Sequence, residues 1–280
     1  MTTPQFLRCA ELINQADGLL ITAGAGIGVD SGLPDFRGAE GFWQAYPALA
    51  TAGIHFQAIA SPEAFRTRPH MAWGFYGHRL NLYRCTLPHD GFRILLELAD
   101  SMPRGAFVFT SNVDGQFQKA GFRDSEICEA HGSIHHLQCL KGCAGDIWST
   151  RDFDPVVDEE QCSLLSDLPI CPHCGGLARP NVLMFGDSGW LEFRERIQNH
   201  AFQQWLRRVE RPVIIELGAG TSIPTVRIMG QQIDSPMIRI NPRENQVPRK
   251  MDISLPVGAL EGLQGIANAL KLQEVKHEHR

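Results

Sequence analysis

Two pairs of cysteines are the residues of this chain whose types and spacing most clearly indicate chemistry. Cys139 and Cys143 are separated by three residues, and Cys171 and Cys174 by two. Thiolates paired in this way are typical ligands of a structural zinc ion, which is closed by four ligands and leaves no position for water. We therefore expect a four-cysteine zinc site that stabilises the segment around it and takes no part in catalysis. The alternatives are four unligated thiols or a redox pair, and the second is disfavoured because neither pair opens a helix after a strand.

A glycine turn forms the second candidate site. Gly24-Ala25-Gly26 directly follows the apolar run GLLIT at 18–22. At such a position main-chain N–H groups can approach a pyrophosphate, and a helix N-terminus can face it. The turn departs from the GxGxxG pattern of dinucleotide sites, because Val29 occupies the place of the third glycine. Taken alone, the turn is equally consistent with any α/β protein.

The elements that must position these residues follow an alternating pattern. Four short apolar runs predict buried parallel strands, at 18–22, 106–110, 212–217 and 237–240. Small or polar residues follow each run, and in an open parallel sheet such strand ends line one crevice in which ligands bind. Helical patterns lie between the runs, for instance at 89–100 and 191–210. The predicted fold class is α/β, with a doubly wound parallel, Rossmann-like sheet.

Two stretches interrupt this alternation and are predicted to form a smaller lobe over the crevice. Residues 41–85 are a helical insertion, helical from Pro62 onward, and residues 138–180 are the zinc-binding module. The sheet domain is then discontinuous and consists of residues 1–40, 86–137 and 181–280. The C-terminal segment KLQEVKHEHR is interpreted as a helix end that frays into solvent.

Composition and charge exclude several classes of partner. With 280 residues, 43% of them hydrophobic, the chain can bury a full core. A net charge of -5 leaves no electrostatic footprint for nucleic acid, and no apolar run approaches the ~20 residues that span a bilayer. The N-terminus lacks the apolar core of a signal peptide, so we expect a cytoplasmic protein in which the other four cysteines are buried or incidental thiols. The sequence predicts no oligomeric state.

The segment GAGIGVDSGLPDFRG, from Gly24 to Gly38, resembles the NAD-binding signature of the sirtuins, the Sir2 family of NAD-dependent protein deacylases. Further motifs similar to those of the family follow in the family's order: TSNVDG at 110–115, HGS at 131–133, the cysteine cluster, CGGLARPNVLMFGD at 174–187, GAGTS at 218–222 and IN at 240–241. The resemblance covers about residues 18 to 260 and indicates a divergent, bacterial-type branch. It implies NAD and zinc as cofactors and an acyl-lysine protein or peptide as partner.

The resemblance also implies how NAD is held. The Pro-Asp-Phe-Arg loop would close over the nicotinamide end, with Phe36 shielding the reacting carbon and Asp35 and Arg37 fixing the loop and the phosphate or ribose side. Asn112 and Asp114 would hold the carboxamide, Asp114 by accepting from its NH2 group. The implied cofactor-binding set is Gly24, Ala25, Gly26, Asp35, Phe36, Arg37, Ser111, Asn112, Asp114, Gly220, Thr221, Ser222, Asn241 and Ala259.

By the same resemblance the catalytic residues are His131, Asn112 and Asp114. Histidine suits this role because its unperturbed pKa allows proton transfer near neutral pH. The acyl oxygen of the substrate would attack the ribose carbon as nicotinamide leaves. His131 would then take a proton from a ribose hydroxyl, whose oxygen attacks the resulting imidate. The products would be nicotinamide, free lysine and O-acyl-ADP-ribose.

RPNVLMFGD resembles the segment by which sirtuins pair with an acyl-lysine peptide as an added strand. The implied substrate residues there are Val182, Leu183, Met184 and Phe185. This chain departs from the family here, with Phe-Gly-Asp-Ser-Gly-Trp where the family normally has Phe-Gly-Glu followed by Leu-Pro.

Tyr76 and Arg79 complete the predicted substrate site. Residues three apart share a helix face, and the same Tyr-x2-Arg spacing marks the sirtuin branch that removes acidic acyl groups such as succinyl. In that branch the arginine pairs with the distal carboxylate and the tyrosine hydroxyl assists. Ala60, which precedes Ser-Pro-Glu, also matches the branch. The rival interpretation is an ordinary amphipathic helix with Tyr76 packed and Arg79 exposed.

Several positions depart from the family pattern, and most of them would touch NAD. Ala23 stands where threonine is usual, Gly28 where serine is common, and Ser111 where glutamine usually contacts the nicotinamide ribose. Near the C-terminus, Val257-Gly258-Ala259 takes the place of Gly-Asp-Ala beside the adenine. The expected function is an NAD-dependent protein lysine deacylase. The alternatives are an ADP-ribosyltransferase or NAD glycohydrolase on the same fold, and a non-catalytic module that binds NAD or ADP-ribose.

Overall fold

The fold is described by a computed structural model that covers residues 3–35 and 38–278. Its strands, in chain order, are β1 (Gly18–Ala23), β2 (Ala106–Thr110), β3 (Ile127–Glu129), β4 (Gly132–Cys139), β5 (Ile147–Ser149), β6 (Val157–Asp158), β7 (Ser163–Leu164), β8 (Ala178–Val182), β9 (Pro212–Leu217), β10 (Met237–Ile240) and β11 (Ile253–Leu255). Its α-helices are α1 (Thr3–Gln15), α2 (Gly38–Ala45), α3 (Pro47–Thr51), α4 (Phe56–Ile59), α5 (Pro62–Thr67), α6 (Pro69–Cys85), α7 (Asp90–Ser101), α8 (Gln116–Lys119), α9 (Phe193–Leu206), α10 (Thr225–Gln232) and α11 (Ala259–Glu278).

The larger sheet is parallel throughout and has the strand order β11-β10-β9-β1-β2-β3. From β1 the chain proceeds outward through β2 to β3, and it later returns through β9 to the other edge. The order therefore reverses between β1 and β9, which is the position where doubly wound sheets bind ligands. The predicted fold class is confirmed. The four predicted strands are β1, β2, β9 and β10, and β1 continues to Ala23.

Alternation of side chains along the strands builds a core on each face of this sheet. Leu19 and Ile21 of β1 point to one face and pack in a cluster that includes apolar residues of α1, α7 and α11. Leu20, between them, points to the other face and packs in a cluster with Phe202 and Trp205 of α9. Because both faces are covered, the central strands are continuously apolar rather than alternating, as the sequence pattern indicated.

The smaller lobe combines the helical insertion with a three-stranded antiparallel sheet in the order β5-β4-β8 and the β6-β7 hairpin. The two parts share one core, in which Phe65 and Trp73 from the helices lie in the same cluster as Ile134 and Leu137 from β4. The indole N–H of Trp73 donates to the carbonyl of Ala178 in β8 at 2.9 Å. The helical insertion and the antiparallel sheet therefore stabilise each other through this shared core.

The division of the chain into modules stays a prediction. Its boundary after residue 137 falls inside β4, and its boundary before residue 181 falls inside β8. At the C-terminus α11 is helical through Glu278. Among the described helices, none combines the length and apolar character that crossing a membrane requires.

Candidate active site

A cavity of about 530 Å³ lies beside the carboxyl ends of β1, β2 and β9 and is also bordered by the smaller lobe. Most of the residues that the sequence predicted for the site lie in its wall: Gly24, Ala25, Asp35, Tyr76, Arg79, Ser111, Asn112, Asp114, His131, Val182, Leu183, Met184, Phe185, Gly220, Thr221 and Ser222. Three predicted residues, Gly26, Asn241 and Ala259, are not among the wall residues. Phe36 and Arg37 lie outside the described residues. The structure thus brings together residues from seven separate segments of sequence.

Two glycine turns form the floor of the cavity by packing main chain against main chain. A Cβ atom on Gly24 would lie 2.8 Å from the Cα atom of Ala219, and one on Gly218 would lie 2.3 Å from the carbonyl carbon of Gly26. Gly218 also has a φ of 58°, a left-handed conformation that favours glycine. The N–H group of Gly26 donates to the carbonyl of Gly218 at 3.1 Å. Gly26 therefore joins the two turns, and its N–H group already donates to a main-chain carbonyl of the protein.

Asn241 acts from behind the wall. Its fully buried side chain donates to the carbonyl of Ala219 at 3.0 Å and accepts from the N–H groups of Arg243 and Glu244. This arrangement presents the carboxylate of Glu244 to the cavity, where it also accepts from the N–H and hydroxyl groups of Thr221 at 3.2 and 2.5 Å. The turn after β10 thereby contributes a wall carboxylate through Glu244 and structural support through Asn241.

The turn after β2 places an amide and a carboxylate in the wall. The hydroxyl of Thr110 accepts from the N–H group of Asn112 at 3.0 Å, and the Asn112 side chain donates to the carbonyl of Gly24 at 3.2 Å. The Asp114 carboxylate is buried and accepts from the N–H group of Gln116 at 2.9 Å. Burial, with the nearby carboxylate of Glu129, raises the pKa of Asp114 to about 6 despite that hydrogen bond.

The same turn is held from the other side by a β-bulge in β4. The register of β4 against β8 shifts between Ser133 and Leu137, and this irregularity turns His135 toward the Asp114 loop. The ring Nε2 of His135 lies 2.9 Å from the carbonyl oxygen of Asp114. No sequence motif indicates a role for His135, and the structure places it directly behind the loop that is predicted to hold nicotinamide.

His131 lies between β3 and β4 and faces the cavity. Its carbonyl accepts from the N–H group of Leu183 at 2.9 Å, and its Nε2 lies 3.0 Å from the hydroxyl oxygen of Thr225. Burial lowers the pKa of His131, and a hydrogen bond with the main chain of Ser111 opposes that change in part. The imidazole is therefore neutral at pH 7, which is the form that can accept a proton.

Arg79 is buried in the cavity wall, so the interpretation that placed it on an exposed helix face is wrong. It is 9% exposed, and its Nε and Nη2 donate to the hydroxyl of Tyr83 at 2.9 and 2.6 Å. The guanidinium carbon also lies 5.2 Å from the ring centre of Phe75. Burial acts to lower the pKa of Arg79, but the phenols of Tyr83, Tyr46 and Tyr76 outweigh it, and the pKa is raised. The cavity therefore contains a permanent positive charge.

The segment after β8 is held by a buried ion pair. Arg179 and Asp187 form two hydrogen bonds of 2.6 and 2.9 Å, with side chains that are 1% and 0% exposed. Asp187 also accepts from the N–H group of Met184 at 3.3 Å. The pair fixes the bend between the substrate residues and the loop that follows. Asp187 is one of the positions at which this chain departs from the family pattern, and its carboxylate has a structural role here.

The four clustered cysteines have the geometry of a metal site. Their Sγ atoms all lie within 4.8 Å of one another, with 3.8 Å between Cys139 and Cys174 and 3.5 Å between Cys143 and Cys171. Four thiolates around a tetrahedral zinc ion with bonds of ~2.3 Å are separated by ~3.8 Å. The donor set therefore fits zinc, and within the described part of the chain it is the one group of this kind.

Three functional candidates in and around the wall are absent from the sequence prediction. Tyr83 had a local signal, because it stands four residues after Arg79 on the same helix face. Glu244 had a weaker one, because it follows the end of a predicted strand. Thr225 had none, because it meets His131 across 94 residues of sequence.

Comparison with known proteins gives concordant matches in sequence and fold. The model of the Sir2 family matches residues 24–218. An NAD-dependent protein deacylase of Aeropyrum pernix is 30% identical over 250 residues, which cover 88% of this chain and 90% of that protein. One of Aquifex aeolicus is 27% identical over 255 residues, covering 90% and 95%.

Among solved structures, a mutant Sir2 homologue in complex with ADP-ribose has a TM-score of 0.69 at 24% identity, covering 95% of this chain and 97% of that one. A Sir2 homologue in complex with NAD has a TM-score of 0.68 at 24% identity, covering 94% and 93%. A Sir2 mutant with a deacetylated p53 peptide and an acetyl-ADP-ribose has a TM-score of 0.62 at 20% identity, covering 96% and 98%. At these identities the structural matches establish a common fold.

Proposed function

The chain belongs to the Sir2 family, and on that premise we propose that it is an NAD-dependent protein lysine deacylase. Its products are nicotinamide, O-acyl-ADP-ribose and free lysine. The observation that carries the proposal is the meeting of His131, Asn112 and Asp114 in the wall of one cavity, with His131 neutral and able to accept a proton. The relatives that match along most of the chain are NAD-dependent protein deacylases. They do not favour the two alternative functions.

NAD, when bound, supplies an electrophilic ribose carbon and nicotinamide as the leaving group. The main chain of Gly24 and Ala25 and the hydroxyls of Thr221 and Ser222 bind its phosphates and riboses in this proposal. The Glu244 carboxylate accepts from ribose hydroxyls, in the way that it accepts from Thr221. Asp35, Phe36, Arg37 and Ala259 keep the roles that the family resemblance implies, whereas Gly26 and Asn241 support the wall from behind.

Three residues act at the reacting end of the cofactor. Asn112 and Asp114 hold the carboxamide, and the Asp114 carboxylate is the form that accepts from the amide NH2 group. His131 takes the proton from a ribose hydroxyl, so that the oxygen can receive the acyl group. Its half-buried position keeps the imidazole neutral before this step. Two reaction stages therefore depend on different residues, the first on the carboxamide holders and the second on the base.

The acyl group occupies the part of the cavity between the smaller lobe and β8. Val182 and Met184 are buried and offer apolar contact to the stem of a lysine side chain. Beyond them, the buried guanidinium of Arg79 favours an acyl group with a carboxylate at its end, since a buried cation is stabilised by an opposite charge. We therefore propose succinyl-lysine or malonyl-lysine as the preferred substrate class.

The peptide main chain pairs with the segment that begins at Leu183. Leu183 is 40% exposed, and its N–H group donates to His131, so the segment passes directly beside the base. An extended peptide added there would lie with its acyl-lysine pointing into the cavity. The Arg179–Asp187 pair keeps this segment in place.

Zinc binds to Cys139, Cys143, Cys171 and Cys174 in this proposal. A closed four-thiolate site leaves no position for substrate, so its contribution is to the stability of the smaller lobe. Cysteines that are not in disulfides are typical of a reducing compartment, which supports a cytoplasmic location. The net charge of -5 supports a protein or peptide partner rather than nucleic acid.

The test is a paired measurement of nicotinamide release and peptide mass. Purified protein is incubated with NAD and with acetyl-lysine or succinyl-lysine peptides of the same sequence. We expect nicotinamide release that depends on peptide and equals the loss of acyl groups, and we expect His131→Ala to abolish the loss of acyl groups. His200→Ala, which changes an exposed histidine on α9, is the matched control and retains the activity. Release of nicotinamide without loss of the acyl group would contradict the proposal.

A further inference from the structure

The base His131 has a side-chain partner that the catalytic set does not include. Its ring Nε2 lies 3.0 Å from the hydroxyl oxygen of Thr225. Thr225 is the first residue of α10 and is half-buried. It follows Gly220, Thr221, Ser222 and Ile223 closely along the chain, and all four lie in the cavity wall. The hydroxyl is therefore close both to the base and to the wall that holds NAD in the proposed function.

The protonation of the ring fixes the direction of this hydrogen bond. A neutral imidazole carries its proton on one ring nitrogen and a lone pair on the other, and a hydroxyl can pair with either form. When Nε2 carries the proton it donates to Thr225, and when Nδ1 carries the proton Nε2 accepts from Thr225. The proposed relay uses the second tautomer, in which Nδ1 carries the proton and the lone pair of Nε2 lies 3.0 Å from the Thr225 hydroxyl oxygen. The Thr225 hydroxyl then donates to Nε2.

This arrangement has a consequence for proton transfer to His131. The lone pair on Nε2 is the one that a base must use, and an sp² nitrogen has a single lone pair. A ribose hydroxyl can reach it either by displacing Thr225 or by passing its proton through Thr225. A hydroxyl is suited to the second route because it can donate and accept at the same time.

Resting on the proposed function, we propose that the Thr225 hydroxyl relays the proton from the ribose hydroxyl to Nε2 of His131. The ribose O–H bond breaks as its proton passes to the Thr225 oxygen. The proton already on Thr225 passes to Nε2, and the ribose oxygen keeps the electron pair with which it attacks the acyl carbon. Thr225 is neutral before and after the step, and His131 becomes an imidazolium.

The relay acts only after nicotinamide has left, and this permits a sharp test. Thr225→Val removes the hydroxyl at nearly constant volume, and Thr225→Ser restores it. Exchange of labelled nicotinamide into NAD reports the first stage, and deacylated peptide reports the whole reaction. We expect Thr225→Val to lower the rate of deacylation about ten- to hundredfold, a part of the effect of a general base. We expect its nicotinamide exchange to stay within about twofold of wild type, and Thr225→Ser to recover most of the deacylation.

The matched control is Thr67→Val, which makes the same chemical change at an exposed threonine whose hydroxyl donates within its own helix. A single-turnover proton inventory in mixtures of H2O and D2O adds a second measurement. Two protons in motion give a curved plot in wild type and in Thr225→Ser, and a straight plot in wild type contradicts the relay.

The wild-type arm tests the proposed function and the variant arms test the relay. Absence of deacylation by wild type overturns the function, and with it the relay. Given an active wild type, Thr225→Val that deacylates at the wild-type rate or faster overturns the relay, since the hydroxyl is then dispensable or competes with the substrate. An equal loss of exchange and deacylation that serine does not restore also overturns it, and assigns Thr225 to packing.

Discussion

Arg79→Met removes the buried positive charge from the acyl end of the cavity while keeping an unbranched side chain of similar length. In the structure Arg79 is 9% exposed and its guanidinium is held by two hydrogen bonds to Tyr83, so a carboxylate that reaches it meets a fixed, desolvated partner. Removal of one partner from a buried pair typically costs 2–5 kcal/mol. Because the cavity opens to solvent, we take about 2–3 kcal/mol, which corresponds to an about 30- to 150-fold lower kcat/KM.

The assay compares kcat/KM for succinyl-lysine and acetyl-lysine peptides of one sequence. We expect the loss with succinyl-lysine only, because an acetyl group has no carboxylate to pair with Arg79. Arg79→Lys retains the charge but not the planar fork, and an intermediate loss is expected. Tyr83→Phe leaves the charge but removes the group that aims it, with an expected loss of about tenfold.

Arg66→Gln is the matched control, because Arg66 is an exposed arginine on α5 that pairs with Glu63. Thermal unfolding of each variant reports whether the buried substitution weakens the fold. An equal loss of both activities in a well-folded Arg79→Met, or a wild type that prefers acetyl-lysine, would refute the assignment of Arg79 to an acidic acyl group.

Three further predictions concern the metal, the carboxamide holder and its support. Cys171→Ser is expected to lose one bound zinc ion per chain, measured by metal analysis, and to unfold at a lower temperature, measured by calorimetry. Cys85→Ser, the control, keeps the zinc content and the unfolding temperature of wild type. Equal zinc content in the two variants would count against the site. Because the pKa of Asp114 is raised to about 6, its carboxylate form, which accepts the hydrogen bond, is lost as pH falls through 6. We therefore expect kcat/KM for NAD to rise with pH across that range in wild type but not in Asp114→Asn. The same pH profile in the variant as in wild type would assign the titration to another group. His135→Leu is expected to raise the KM for NAD about two- to tenfold, because the carbonyl of Asp114 loses its hydrogen bond. We expect His135→Gln to recover the wild-type KM and His136→Gln to have no effect. Equal KM values in the His135 and His136 variants would show that His135 has no role in the site.

The sequence was informative where a pattern is local. The runs that became β1, β2, β9 and β10 are continuously apolar because both faces of a central parallel strand are buried, and this property is visible in a few residues. The spacing of the cysteines likewise depends on a short stretch of chain, and their Sγ atoms do meet. The order of motifs from Gly24 to Asn241 then indicated the family.

Long-range packing limited the prediction elsewhere. Helix periodicity could not decide whether Arg79 faces solvent or a cavity, because that depends on the distant segments that build the other walls of the cavity. Asn241 was expected to contact the cofactor, yet it binds Ala219 behind the wall, and no local signal distinguishes these two roles. The partner of His131 could not be foreseen because Thr225 lies 94 residues away.

The fate of the acyl group tests the central claim most directly. Protein, NAD and a peptide whose acyl group carries an isotopic label are allowed to react to partial conversion, and every labelled product is identified by mass spectrometry. The account predicts that the label appears on ADP-ribose, in amounts equal to the nicotinamide released and the free lysine formed, and that His131→Ala gives none. Labelled free carboxylic acid formed directly, or ADP-ribose attached to protein while the peptide keeps its label, would contradict it.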